Sequence, residues 1–162
     1  MAQAEEKLSL DATDLRILAL LQADASRAVA DIAAEIGLSQ SPCWRRIKRL
    51  HESGAIRKVV AVLDPEALGL GFTSYAFVKL ALPSLTNMNR FDALVRRWPE
   101  VVMCERITGA VDYLIKVVAT DIKEYDAFLR LKLLDGDLVS EVQSRIVVAT
   151  VKDAAPLPIE AP

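Results

Sequence analysis

The chain has 162 residues, enough for one domain with a substantial core or for two small ones. Its composition, 52% hydrophobic and 26% charged, is that of a soluble globular protein, and a net charge of -2 argues against a protein that coats nucleic acid through bulk positive charge. Two cysteines and one histidine are too few for a disulfide framework or a structural zinc site, and they point to a reducing cytoplasm. The acidic start, MAQAEEKLSLD, lacks the apolar core of a signal peptide, and no apolar run reaches membrane-spanning length.

Residues 1–9 are expected to fray. Residues 10–21 read as a first helix, with Asp11 as its cap and Asp14 as the capping-box partner three residues on. Leu15, Leu18 and Leu21, with Ile17 beside them, supply its buried stripe, and Leu10 with Leu15 a staple. Arg27 follows in a loop, either as a solvated charge or as a phosphate contact. Residues 30–36 are a short second helix carrying Ile32, Ala33 and Ile36, and its start, Ala30, lacks a capping hydroxyl. Gly37 can end that helix in the left-handed conformation, and Leu38 can plug the turn. Ser39 or Ser41 can cap a third helix that tolerates Pro42 in its first turn and stops at Gly54.

The third helix sorts by face. At about 100° per residue, Cys43, Ile47 and Leu50 form one apolar stripe. Ser41, Arg45, Lys48 and Arg49 point away from it, with Trp44 and Arg46 on opposite flanks. Residues 41–60 hold six basic residues, Arg45, Arg46, Lys48, Arg49, Arg57 and Lys58, against one acid, Glu52. A charge run alone usually marks a solvated face. A short helix, a glycine turn and one-sided cations together fit a helix-turn-helix whose last helix enters a DNA major groove.

Residues 56–63, IRKVVAVL, read as a strand, with Arg57 and Lys58 able to touch a DNA backbone. Asp64 and Pro65 break it, and residues 66–71 form a linker with a helical turn. The pattern then becomes strand (73–82), helix (88–97, capped by Thr86 or Asn87), strand (101–108), strand (113–119), helix (to 134, capped by Asp121) and strand (139–151). Residues 109–112 turn the middle strands into a hairpin. This βαββαβ order is the ferredoxin-like split arrangement. Its sheet has one face without helices, which dimerisation would cover. The fold class is therefore α+β: a (winged) helix-turn-helix domain over residues 8–55, a strand and linker over 56–71, a βαββαβ domain over 72–152, and a tail over 153–162.

The opening Leu10-Asp11-x-x-Asp14 with Ile17-Leu18, the block LSQSPCWRRIKRL at 38–50 followed by Gly54-x-Ile56, Leu63-Asp64-Pro65 with Leu68-Gly69, and Gly109-x-x-Asp112-Tyr113-Leu114 resemble, in order, the leucine-responsive regulator/AsnC family of transcription regulators. The resemblance covers about residues 8–152. It implies a cytoplasmic, nucleoid-associated bacterial regulator that binds double-stranded DNA, dimerises through its C-terminal sheets and assembles further, as far as an octamer. On the DNA side the matching block is Ser39, Gln40, Ser41, Trp44, Arg45, Arg46, Lys48 and Arg49. The resemblance also implies a small amino-acid effector bound between C-terminal modules, at Arg106, Thr108, Gly109, Asp112, Ile122, Arg145, Ile146 and Val147, with no other cofactor and no metal. Asp112 could hold an α-ammonium and Arg106 or Arg145 an α-carboxylate. The plainer alternatives are a turn aspartate that caps its own backbone and two surface ion pairs. The Pro42-Cys43-Trp44 variant and the tail Leu157-Pro158-Ile159-Glu160 look like a cysteine-responsive subgroup, which makes cysteine one candidate effector.

Two other functions are open to this sequence. One is an architectural protein that wraps DNA with weak sequence preference. The other is an enzyme built on the βαββαβ half. The second is disfavoured, because His51 is the only histidine and there is no phosphate loop or nucleophile–base set.

Overall fold

The computed structural model describes residues 9–153 and 156–159. Apart from Ser9, the start expected to fray lies outside them, as does Glu160 of the tail. The chain divides into two compact units, Met1–Val62 with Lys152–Pro162, and Leu63–Val151.

The first unit holds α1 (Ala12–Ala23), α2 (Val29–Glu35) and α3 (Gln40–Glu52). Asp11 caps α1 and the capping box is complete: Asp14 N–H donates to Asp11 Oδ1 at 2.8 Å, and Asp11 N–H to Asp14 Oδ2 at 3.2 Å. The three helices bury Ile17, Ile32, Ala33, Cys43 and Leu50 against one another, with Leu18, Leu21, Ile36, Leu38 and Ile47 packed around them. Ile17, rather than the leucines expected to form the stripe, is the fully buried apolar residue of α1. α2 begins one residue before the expected start, so its cap position is Ala28, which supplies no side-chain bond. At the turn Gly37 sits at φ 73°, and Leu38 N–H donates to the Ala33 carbonyl while Gly37 N–H donates to that of Ala34. Gly37→Ala is expected to cost about 1 kcal/mol, because a Cβ disfavours that backbone region, although nothing lies within 4 Å of where it would sit. Thermal unfolding checks this, and an unchanged midpoint would show that the turn accepts a side chain. Ser39 occupies the cap position of α3 without making the expected side-chain bond.

Part of the tail belongs to this unit. The Gln22 carboxamide donates to the Leu157 carbonyl and accepts from the Leu157 N–H, both at 2.9 Å.

The strand expected over residues 56–63 is not formed within the chain. Val59, Val60, Val62 and Leu63 are exposed there and no strand pairs with them. β-branched composition favours extended backbone, but a strand needs a neighbour to satisfy its N–H and C=O groups. Residues 65–69 then make the expected turn, with Leu70 N–H bonded to the Pro65 carbonyl.

The second unit runs β1 (Phe72–Leu80), α4 (Leu85–Val95), β2 (Val101–Arg106), β3 (Tyr113–Ala119), α5 (Ile122–Phe128), a π-helical turn (Leu129–Leu133) and β4 (Val139–Ile146). The strands are antiparallel in the order β2-β3-β1-β4, the ferredoxin-like arrangement. α4 begins three residues before the expected Met88, because Ser84 caps it by accepting the Asn87 N–H. β4 ends at Ile146, short of the expected residue 151. Ile146 pairs with Ser74, and β1 begins at Phe72, so the chain beyond Val147 has no ladder partner.

Burial alternates along the two central strands. Ser74, Ala76, Val78 and Leu80 of β1 and Tyr113, Ile115, Val117 and Ala119 of β3 are buried on the face that carries the helices. Phe91 and Val95 of α4 and Tyr125 and Phe128 of α5 complete that core. The opposite face presents Tyr75, Phe77, Leu114, Lys116 and Val118, all half-buried in a single chain.

Candidate DNA interface and effector site

α3 presents its outward face as expected. Ser39, Gln40, Ser41, Trp44, Arg45, Lys48 and Arg49 are exposed, while Cys43 and Leu50 are fully buried. A shallow groove of about 580 Å³ is lined by Val29, Gln40, Ser41, Trp44 and Arg45. Trp44 is 52% exposed, and Lys48 Nζ lies 5.5 Å from its ring centroid, a cation–π contact. Lys48 also faces Glu52 at 3.6 Å, one helical turn on. Among the described residues, Arg45 has no ion-pair partner.

The other two arginines of α3, half-buried Arg46 and exposed Arg49, are held by carboxylates of α1 and its cap. Arg46 Nη1 donates to Asp11 Oδ2 at 2.6 Å and to Asp14 Oδ1 at 2.8 Å. Arg49 donates to Asp14 Oδ2. The bond from Arg46 holds the Asp11 carboxyl below the usual carboxylate range. Arg27 is half-buried rather than fully solvated and pairs with Glu35 of α2. Burial pushes the Cys43 thiol upward, as befits a core side chain.

The candidate effector residues fall into two groups on the second unit. Arg106, Thr108, Gly109 and Asp112 lie at the β2–β3 hairpin. Ile146 pairs with Ser74, and the Val147 N–H bonds to the Thr73 carbonyl, near the start of β1. Ile122, 56% exposed, follows the end of β3, where Ala119 pairs with Phe72. The hairpin meets β1 at Val78, four residues beyond Ser74, so the groups stand about 13 Å apart along the strand. Arg145 pairs with Tyr75 on the face without helices.

Asp112 ties the hairpin to β1. Its N–H donates to the Val78 carbonyl at 2.9 Å, and its Oδ2 accepts from the Leu80 N–H at 2.8 Å. Arg106 reaches across to α4, where Nη2 donates to Asp92 Oδ2 at 2.6 Å, and its guanidinium lies 6.0 Å from the Tyr113 ring centroid. The Tyr113 hydroxyl donates to Asp92 Oδ1 at 3.0 Å. Burial and the Asp92 carboxylate push the Tyr113 hydroxyl up to about 12. Burial pushes the Asp92 carboxyl up, but the bonds from Arg106 and Tyr113 outweigh it and leave the group below its ordinary value. A carboxyl lowered by folding stabilises the fold above the unfolded-state value and loses that contribution as pH falls through the folded one. Stability is therefore expected to decline below about pH 4, and less so in Asp92→Asn. Thermal melts across that range test it, and identical pH profiles for the two proteins would exclude the cluster as a source.

Sequence reasoning missed Asp14 and Asp92 as partners of arginine. A signal for Asp14 was present: it stands three and four residues before Ile17 and Leu18, on an apolar helix face where a carboxylate needs a cation. Among the described residues no helix is long and apolar enough to cross a membrane.

The comparisons with known proteins bear on both units. Residues 10–51 match the AsnC-type helix-turn-helix domain and residues 73–157 the Lrp/AsnC ligand binding domain. The chain is 37% identical over 151 residues to the DNA-binding transcriptional activator DecR of Escherichia coli, covering 93% of this chain and 99% of that one. It is similar in structure to a Neisseria meningitidis transcriptional regulator solved with L-methionine, with TM-score 0.88, 35% identity, and 93% and 97% of the two chains covered. An AsnC family regulator from Agrobacterium tumefaciens gives TM-score 0.86 at 40% identity, over 92% and 97% of the two chains. With both of its units matched in order and relatives aligned over nearly its whole length, the chain belongs to the Lrp/AsnC family of DNA-binding transcriptional regulators.

Proposed function

We propose that α3 docks in the major groove of an operator through Gln40, Ser41, Trp44 and Arg45, with Ser39 and Lys48 at its margins, and that a small amino acid bound to the second unit alters this binding. The carrying observation is the outward face of α3: a hydroxyl, an amide, an indole and a guanidinium with no ion-pair partner among the described residues, beside one another on a helix locked by its buried stripe. Those groups suit base edges and phosphates.

The effector is held between modules rather than within one. The two groups of candidate residues lie too far apart in a single chain to grip one amino acid, and a second module can bring the missing half. Asp112 supplies the negative charge for an α-ammonium. Arg106, engaged by Asp92, shapes the hairpin rather than binding a carboxylate directly. The relative solved with L-methionine supports an amino acid as the ligand class, and cysteine remains one candidate. The half-buried sheet face with Tyr75, Phe77, Leu114 and Val118, and the exposed valines of residues 59–62, support a homodimer that assembles further, to an octamer. A role on DNA supports a location in the bacterial cytoplasm, at the nucleoid.

The test is a footprint on the DNA upstream of the protein's own gene, with and without a panel of free amino acids that includes methionine, cysteine and leucine. A bounded, periodic protection that changes with one amino acid is the expected result. Protection spread over any sequence would favour DNA wrapping instead, and protection indifferent to every amino acid would overturn the effector reading.

A further inference from the structure

Among the described residues Asp14 is the one buried carboxylate of the first unit, with no exposed surface, and nothing in the groove-facing surface of α3 explains it. Both of its oxygens are occupied. Oδ1 accepts from Arg46, and Oδ2 accepts from Arg49 and from the Asp11 N–H. Asp11, the cap of the same helix, takes the same nitrogen of Arg46. The N-terminal turn of α1 is thus a receptor for two arginines of the helix that faces DNA.

A buried carboxylate is costly to desolvate, and apolar packing alone could join α1 to α3, as Ile17, Cys43 and Leu50 already do. Apolar side chains, however, tolerate rotation of one helix about its own axis better than directional bonds do. Arg46 and Arg49 are three residues apart, on one flank of α3, and their guanidinium bonds have fixed directions. Arg45 and Lys48 immediately precede them, about 100° around the helix. Fixing the first pair therefore sets the azimuth of the second.

We infer that Asp14 is a positioning residue for DNA recognition: it locks the rotation of α3 through Arg46 and Arg49, so that Arg46 acts on operator binding without touching DNA. This rests on the reading of α3 as the DNA-facing helix. Arg46 on a phosphate would contribute to counterion release, whereas Arg46 on Asp14 would not.

The experiment measures affinity for the footprinted operator and for a random duplex of equal length, across a salt series, with folding followed by circular dichroism. Arg46→Gln leaves Asp14 its bond to Arg49. It is expected to weaken operator binding about tenfold with an unchanged slope of log K against log salt, and to leave random-duplex binding within about twofold. A slope lowered by about 0.9, the value for one lost phosphate contact, would overturn the inference, and so would unchanged operator affinity. Asp14→Asn removes the charge that both guanidinium groups share, leaving Arg46 its bond to Asp11 and Arg49 no carboxylate. It is expected to lower the ratio of operator to random affinity at least tenfold, with random-duplex binding equal or tighter. Operator and random binding that fall together, in step with lost folded protein, would make Asp14 merely structural. Arg45→Ala serves as the control for the underlying reading: if it binds the operator as tightly as the parent, the docking of α3 fails and the inference with it.

Discussion

Arg45→Ala is expected to weaken operator binding by about 1–3 kcal/mol, roughly 5- to 150-fold. Arg45 is exposed on α3, lines the groove with Gln40, Ser41 and Trp44, and has no ion-pair partner among the described residues. Its fellow cations are engaged: Lys48 with Glu52 and Trp44, Arg46 with Asp11 and Asp14, Arg49 with Asp14. Removing Arg45 therefore deletes a contact without opening a core or leaving a buried charge unpaired. Fluorescence anisotropy at several salt concentrations separates two modes. Loss with a slope lowered by about 0.9 means a phosphate contact, and loss with an unchanged slope and relaxed preference at one base pair means a base-edge contact. Unchanged affinity would place the DNA elsewhere on the protein.

Asp112→Asn is expected to abolish the response to the effector while leaving DNA binding in its absence within about twofold. The substitution removes the charge that an α-ammonium needs. It keeps a carboxamide oxygen able to accept the Leu80 N–H, now bonded to Asp112 Oδ2 at 2.8 Å. Asp112→Ala differs in one respect: it leaves that N–H without its acceptor, at a cost of about 1–3 kcal/mol. Loss of response in the alanine variant alone would thus be ambiguous, and the asparagine variant separates charge from structure. Calorimetric titration of the asparagine variant with the active amino acid is the deciding measurement. Ordinary binding would reduce Asp112 to a residue that ties the hairpin to β1.

Arg46 shows where reading a helix by its faces stops. Projection on a wheel placed it on a flank, beside the outward face of Arg45, and gave no sign of what it would meet. The wheel treats a helix as an isolated cylinder, and Asp11 and Asp14 lie 35 and 32 residues away in the chain. The expected strand over residues 56–63 failed for a related reason. Its composition favours extended backbone, yet pairing is a property of two segments, and the described residues offer it no second one. The last strand ended early because β1, not its own sequence, sets where the ladder stops.

What the sequence determined by itself was most of the local structure. Caps, glycine turns and periodicity placed three helices around Gly37 and Gly54, and strand-like runs divided by prolines, turns and caps placed four strands and two helices in ferredoxin-like order. These follow from neighbours within a few residues, where backbone preference and amphipathic spacing act directly. The tertiary structure alone decided which charges meet: Arg46 and Arg49 on Asp14, Arg106 on Asp92, and the candidate effector residues at two separated positions along the sheet. An ion pair depends on distance in space, and long, flexible arginine side chains carry no periodic trace of the carboxylate they will find.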